Sequence, residues 1–113
     1  MHEMSLAAGV LQLVEETAVR EGAQQVKLVV LEIGRLSSVE PEALRFCFAA
    51  VTRGTIAQDA ALEIIDIPGA GTCVACGATV PMTEQWGECP ACGGGLLQPG
   101  AGTEMRVREI EIE

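Results

Sequence analysis

The stretch Val26-Lys27-Leu28-Val29-Val30-Leu31-Glu32-Ile33-Gly34 is rich in β-branched residues and is apolar on both of its alternating faces. This pattern is typical of a central β-strand that is covered on one side and partly covered on the other. Gly34 ends the run. We therefore expect the fold to be built around this strand.

An amphipathic helix is predicted on each side of this strand in the sequence. The first covers residues 4–20 and is followed by Gly22, which suits a left-handed helix end. The second starts at Pro41 and ends near Gly54. Both have apolar residues at helical spacing: Ala7, Leu11, Val14 and Ala18 in the first, and Leu44, Cys47, Phe48 and Val51 in the second.

Two further segments have the pattern of strands. Residues 61–67 are apolar and β-branched, and the segment 68–71, Pro-Gly-Ala-Gly, is predicted to stop them. Residues 105–113 alternate between apolar and charged, but the apolar phase slips between Val107 and Ile110, which requires a bulge or a change of covering face. The predicted fold class is α+β, with two helices packed on a three-stranded mixed sheet.

The composition changes between the last two of these strands. Residues 72–98 hold four of the five cysteines and few aliphatic residues, and the Gly/Pro-rich segments on both sides, 68–71 and 98–102, are interpreted as linkers. We expect an inserted, zinc-ribbon-like domain of residues 70–101. The α/β base domain then consists of residues 1–69 plus 102–113.

The four clustered cysteines, Cys73, Cys76, Cys89 and Cys92, form a C-x2-C-x12-C-x2-C pattern, with a glycine after each pair. This spacing predicts a tetrahedral Zn(II) site. A redox pair, two disulfides and a rubredoxin-like iron site are the alternatives. Because the protein fills all four positions, the zinc is expected to be structural. Cys47 lies on a helical apolar face and is interpreted as a small buried hydrophobe.

The overall composition excludes several classes of function. The 113 residues contain 7 Lys+Arg and 16 Asp+Glu, a net charge of −9, which disfavours nucleic acid as a partner. No apolar run reaches the roughly 18 residues that a membrane span needs, and residues 1–4 carry no basic leader. We expect a cytoplasmic protein. The single histidine allows no Ser/His/Asp set, and no phosphate-binding Gly-Lys loop is present, so no enzymatic activity is predicted.

His2 is that single histidine, and it stands next to the start of the sequence. The α-amine of Met1 with the amide and imidazole of His2 can form fused five- and six-membered chelate rings on one metal ion. A neighbouring amide or the carboxylate of Glu3 can complete the set, which is the ligand type that Ni(II) or Cu(II) prefers. Met1, His2 and Glu3 are therefore candidate nickel ligands, whereas a frayed terminus without a metal is the simpler alternative.

The sequence as a whole resembles the HypA family, the nickel metallochaperones of nickel-iron hydrogenase maturation. The segments that carry the resemblance are Met1-His2-Glu3-Met4-Ser5, Glu32-Ile33-Gly34, Ser38-Val39-Glu40-Pro41-Glu42-Ala43-Leu44-Arg45-Phe46 and the four-cysteine pattern. The resemblance implies Ni(II) as transferable cargo, bound through the amine of Met1, through His2 and through the backbone around Glu3, and structural Zn(II) at the cysteines.

The resemblance also implies partners. They are the GTPase HypB and the precursor of the hydrogenase large subunit, and some members of the family also supply urease. Both a monomer and a homodimer are compatible with the family. The alternative function is a zinc-ribbon adaptor that binds proteins and transfers no nickel.

Overall fold

The structure is a computed structural model and describes residues 2–84 and 87–113. Its helices are α1 (His2–Arg20) and α2 (Pro41–Val51). Its strands are β1 (Val26–Gly34), β2 (Ala61–Ile67), β3 (Gly69–Cys73), β4 (Thr79–Met82), β5 (Leu97–Ala101) and β6 (Met105–Ile112).

The predicted central strand is the middle strand of a three-stranded sheet with the order β2-β1-β6. The N–H of Val26 donates to Ile56 just before β2, and the N–H of Arg35 donates to Ile67 at its end, so β1 and β2 run in the same direction. Gln25 exchanges hydrogen bonds with Glu113, so β6 runs in the opposite direction. The sheet is mixed, and the predicted α+β fold class is confirmed.

The helices bury the faces that the periodicity predicts. The buried residues of α1 are Ala7, Val10, Val14 and Ala18, and those of α2 are Leu44, Cys47 and Phe48. Gly22 follows α1 with φ +69°, as expected for a left-handed helix end. The predicted start of α1 is wrong, because the helix already includes His2 and Glu3. An acidic residue in the first turn is favourable at the positive end of the helix dipole.

The phase slip expected in the last strand is present in β6. Met105, Val107, Ile110 and Ile112 are half-buried, whereas Arg108 and Glu109 in the middle of the strand are both exposed. The alternation therefore breaks at one point and resumes with the opposite phase.

The Gly/Pro-rich segments on either side of the cysteines are strands, and their interpretation as linkers is wrong. β3 begins at Gly69 and pairs with β4 and β5 in a second antiparallel sheet of order β4-β3-β5. Pro81 and Pro99 lie on its two edge strands, where the missing N–H is tolerated. A Cβ on Gly69 would collide with the carbonyl oxygen of Met82, so the glycine is required by close packing.

The described chain forms two compact units. One comprises Met1–Leu31, Val39–Ile65 and Arg106–Glu113, and the other comprises Glu32–Ser38 and Asp66–Met105. The predicted boundaries of the two domains, 1–69 plus 102–113 against 70–101, stay a prediction. Neither helix is at once long enough and apolar enough to cross a membrane, as far as the described residues go.

Candidate metal centres

The two Cys-x-x-Cys pairs adopt the same tight turn. The N–H of Gly77 donates to the carbonyl of Cys73 at 2.9 Å, and the N–H of Gly93 donates to the carbonyl of Cys89 at 2.8 Å. The two glycines have φ values of +76° and +78°, a left-handed conformation that a residue without Cβ adopts at little cost. In each pair the first cysteine is buried and the second is exposed.

These turns bring the four cysteine sulfurs together. All four lie within 4.8 Å of one another, and the pairs Cys73–Cys92 and Cys76–Cys89 are both 3.7 Å apart. Four sulfurs at about 2.3 Å from one zinc ion would be about 3.8 Å apart in a tetrahedron. At 3.7 Å no sulfur is bonded to another, so the disulfide alternative does not fit. The donor set and its spacing fit a structural zinc ion.

Backbone N–H groups point at these sulfurs and prepare them to carry negative charge. The N–H groups of Ala75 and Cys76 each donate to the Cys73 sulfur at 3.3 Å. The hydrogen bond from Cys76 has the largest effect on the pKa of Cys73 and lowers it. Burial opposes this effect and the bond from Ala75 adds to it, and the resulting pKa is about 6. N–H groups of Gly94 and Gly95 likewise lower the pKa of Cys92.

The neighbouring thiols act in the opposite direction on Cys76. The N–H of Ala78 lowers its pKa, but the thiols of Cys73 and Cys89, together with burial, outweigh that bond and raise the pKa to about 11. A cluster of four thiols therefore resists losing all its protons by itself. A divalent cation supplies the missing positive charge, which is why metal binding and thiol deprotonation go together.

Gly95 shapes the cluster without being a ligand. It is buried, and a Cβ built on it would collide with the sulfur of Cys73 and would lie 3.0 Å from the Cβ of Ala75. Gly94 beside it has open space around the same position. The spacing of the cysteines does not reveal this role of Gly95, although the run Gly93-Gly94-Gly95 after the last cysteine is a signal of close packing.

The amino-terminal candidates lie at the start of α1. The imidazole Nδ1 of His2 is 3.6 Å from the carboxylate Oε2 of Glu3. The same Oε2 accepts the backbone N–H of Glu40 at 3.3 Å, and this bond is the first cause of the lowered pKa of Glu3. The His2 side chain is 58% exposed and that of Glu3 only 18%. The imidazole is therefore open to solvent, whereas the carboxylate is fixed by its hydrogen bond to Glu40. Met1 lies outside the described residues.

The first turn of α1 leaves backbone nitrogens available for a metal. The first four N–H groups of an α-helix have no acceptor within the helix. Those of His2 and Glu3 belong to this group because the helix begins at His2.

The fifth cysteine, Cys47, is a free thiol that is buried in α2, as expected for a packing residue.

Comparison with known proteins agrees with this architecture. Residues 1–112 match the family model described as "Hydrogenase/urease nickel incorporation, metallochaperone, hypA". The chain is 74% identical to the hydrogenase maturation factor HypA of Dechloromonas aromatica (strain RCB) and 59% identical to that of Albidiferax ferrireducens. Both alignments cover all of this chain and all of the relative.

Two solved structures also resemble the chain over nearly its whole length. The solution structure of the Ni metallochaperone HypA from Helicobacter pylori has a TM-score of 0.69 at 25% identity, and covers 97% of this chain and 96% of that one. A second solution structure of a HypA protein has a TM-score of 0.74 at 27% identity, and covers 100% and 97%. The chain belongs to the HypA family of metallochaperones for nickel incorporation into hydrogenase and urease.

Proposed function

We propose that the chain carries Ni(II) at its amino terminus and delivers it for the maturation of nickel-iron hydrogenase, while Zn(II) at the four cysteines stabilises the fold. The main support is the exposed imidazole of His2, which lies 3.6 Å from the Glu3 carboxylate at the start of α1. Nitrogen donors for nickel and sulfur donors for zinc would sort the two metals by ligand type.

The nickel ligands are proposed to be the α-amine of Met1, the amide nitrogen and Nδ1 of His2, and Glu3. In a planar set the His2 amide lies between the amine and the imidazole, so the fourth corner is opposite that amide. The Glu3 amide would form a five-membered ring beside the His2 amide and cannot reach this corner. The Glu3 carboxylate, already near Nδ1, is the donor of this residue that can.

Electrostatics favours the same set. A free dication at the positive end of the α1 dipole would be disfavoured. One deprotonated amide and one carboxylate together neutralise Ni(II), so the complete site adds no net charge there. Binding then releases protons, because each ligand must be deprotonated to bind a metal.

The two sites suit different roles because of their openness. At the amino terminus, ligands of a recipient can displace the original ones one at a time, since the imidazole faces solvent. The cysteine cluster fills all four tetrahedral positions from the protein, so it offers no entry for a recipient. Residues 1–69 with 102–113 are therefore proposed as the nickel-binding domain, and residues 70–101 as the zinc-binding domain.

The proposed partners follow from the family. They are the nickel-handling GTPase HypB, the precursor of the hydrogenase large subunit and, in addition, a urease system, all in the cytoplasm. The role is that of a carrier and not of an enzyme. The net charge of −9 disfavours nucleic acid as a further partner.

Nickel titration of the untagged, zinc-loaded protein, followed by calorimetry and metal analysis, tests this proposal. The native chain is expected to bind one nickel ion. A Gly-Ser-Gly-Ser extension before Met1, which moves the α-amine out of chelating reach of the imidazole, or His2→Ala, should abolish that binding and leave the zinc content unchanged. The same extension after Glu113 is the matched control and should change nothing.

Two results would refute the amino-terminal site. The first is stoichiometric nickel binding by both the extended and the His2→Ala protein. The second is a native chain that binds no nickel at all, which would favour the zinc-ribbon adaptor. Zinc at one equivalent, with no iron, is expected in every sample.

A further inference from the structure

The last strand of the chain has an unusual internal symmetry. Along β6 the residues Met105 to Ile112 are half-buried or exposed in an order that reads the same in both directions, because the alternation breaks between Arg108 and Glu109. The charges are antisymmetric about the same point, with arginines at 106 and 108 and glutamates at 109 and 111.

β6 is also an edge strand. The first sheet has the order β2-β1-β6, so in the described part of the chain β6 has a neighbouring strand on one side only. An edge strand presents a row of backbone N–H and C=O groups that can pair with another strand. We propose that β6 pairs antiparallel with β6 of a second copy of this chain, about a two-fold axis between Arg108 and Glu109.

This register matches every residue pair by burial and by charge. Val107 lies opposite Ile110 of the second copy, and both are half-buried. Arg106 lies opposite Glu111, and Arg108 lies opposite Glu109, so each exposed pair joins opposite charges. Opposite charges across an antiparallel pair are favourable, whereas like charges directly opposite each other are unfavourable.

The irregular phase of β6 makes this register compatible with the pleat. In a regular strand, residues three apart such as Val107 and Ile110 would point to opposite faces. Here Val107 and Ile110 are both half-buried and line the same groove, whereas Arg108 and Glu109 between them are both exposed, which is the pattern of residues that share one side. The break in the alternation lies on the proposed two-fold axis. The breaks of the two strands are therefore opposite each other, and the pairing keeps its register on both sides of them.

The arginines need not leave their present partners to make these contacts. Arg106 and Arg108 both interact within the chain. A guanidinium group has five N–H donors, so it can hold a second carboxylate in addition to the first.

The other edge of the same sheet lacks this complementarity. The charged residues of β2 are Glu63 and Asp66, both acidic. Two copies of β2 would therefore repel each other, as edges that are protected against pairing do. Of the two described edge strands of this sheet, β6 alone has a self-complementary order of charges.

An exposed apolar side chain lies beside the proposed seam. Leu13 of α1 is 45% exposed and borders a shallow groove with Thr17, Val107 and Ile110. In the two-fold arrangement the α1 helices of both copies flank the seam on the same face. A second copy therefore covers an apolar surface as well as a strand edge, and no residue of either metal centre takes part.

Sedimentation of the untagged, zinc-loaded chain across a dilution series tests the pairing. The mass is expected to rise from 11.8 kDa towards twice that value with concentration, and to fall again with added salt. A mass that stays at 11.8 kDa at the highest concentration would overturn the proposal.

Charge exchange tests the register. Arg106→Glu with Arg108→Glu makes the strand acidic, and Glu109→Arg with Glu111→Arg makes it basic, so each double variant alone should stay monomeric. Mixing the two should give a heterodimer, and the variant with all four changes should dimerise like the native chain. Glu63→Gln, on the other edge of the sheet, removes a charge without creating an opposite pair on β2, so it is the control and should leave the mass unchanged.

Far-UV circular dichroism and the zinc content of each double variant, measured before mixing, establish that it is folded, so a folding defect is told apart from failure to pair. Double variants that dimerise alone like the native chain, or a mixture that stays monomeric, would overturn the register. The measurement uses no nickel, so its outcome is independent of the proposed nickel function.

Discussion

The carboxylate of Glu3, in the first turn of α1, accepts the backbone N–H of Glu40, the residue that caps α2, at 3.3 Å. Glu40 makes no side-chain capping bond of its own. Glu3 therefore satisfies a free donor at the start of α2 and places negative charge at the positive end of its dipole. The candidate nickel site and the second helix are joined through one side chain.

Glu3→Gln separates the two roles of this side chain. The amide oxygen of glutamine can still accept the N–H of Glu40, so the helices should pack as before. An amide is a poor nickel ligand, so the nickel affinity should fall by about 10–100-fold, as for other losses close to a metal. Calorimetric titration measures this. Unchanged affinity in Glu3→Gln would show that the carboxylate is not a ligand.

The stability difference between the native chain and Glu3→Gln should depend on pH. Folding lowers the pKa of Glu3 below its ordinary value of 4.5, chiefly through the N–H of Glu40. A group with a lowered pKa in the folded state stabilises fully above its unfolded pKa, and this contribution is lost as the pH falls through the folded value. In thermal unfolding without nickel, the native chain should therefore have a higher Tm than Glu3→Gln near neutral pH. The gap should shrink on acidification below about pH 4.5, and a gap that widened instead would contradict this account.

Removal of zinc should affect the cysteine unit first. Cys73→Ser takes away a buried ligand whose sulfur receives two backbone N–H bonds, so the zinc content should fall from one to none. Hydrogen exchange should then rise in β3, β4 and β5 before it rises in α1 and α2. Cys47→Ala is the matched control, because Cys47 is buried away from the cluster and its loss should leave one zinc bound. Equal loss of zinc in both variants would contradict the assignment.

Gly95→Ala tests whether the glycine beside the cluster is required for metal binding. The added methyl group would collide with the Cys73 sulfur, so zinc affinity should fall by about 10–100-fold, as when a neighbour of a metal ligand is lost. Gly94→Ala is the matched control, because it is the same substitution at the neighbouring residue. Its methyl group would meet open space, so the zinc affinity should be unchanged. Competition with a chromogenic chelator measures both. Similar affinities for the two variants would mean that the cluster adapts to the extra atom.

The sequence predicts most of the first sheet and of the cysteine site, because both follow from local patterns. The bounds of β1 and β2 and the turns at Gly77 and Gly93 follow from periodicity and spacing alone. The contact between Glu3 and Glu40 joins residues 37 positions apart, which no local pattern contains.

The strands β3 and β5 could not be predicted from the sequence, for a different reason. Their glycines and prolines have turn propensity, and the strands form through the pairing of β3 with both β4 and β5 and through the close packing of β3 on Met82. The helix start at His2 could not be predicted because residues 1–4 carry no capping residue before the apolar pattern begins.

Two glycine-to-alanine changes should alter stability with opposite signs. A Cβ on Gly34, at the end of β1, would collide with the backbone of Gly102, while Leu36 N–H to Gly102 and Gly34 N–H to Glu104 hold both segments in place at 2.7 and 2.8 Å. Moving the Gly102 backbone away from the added methyl group would break one of these hydrogen bonds. Gly34→Ala should therefore destabilise the protein by about 1–3 kcal/mol, as overpacking does. Gly9 is exposed within α1 with nothing near its Cβ position, so Gly9→Ala should stabilise by about 0.5–1 kcal/mol. Urea unfolding of both variants and the native chain measures the two shifts. A Gly34→Ala protein as stable as the native one would mean that the segment around Gly102 moves freely.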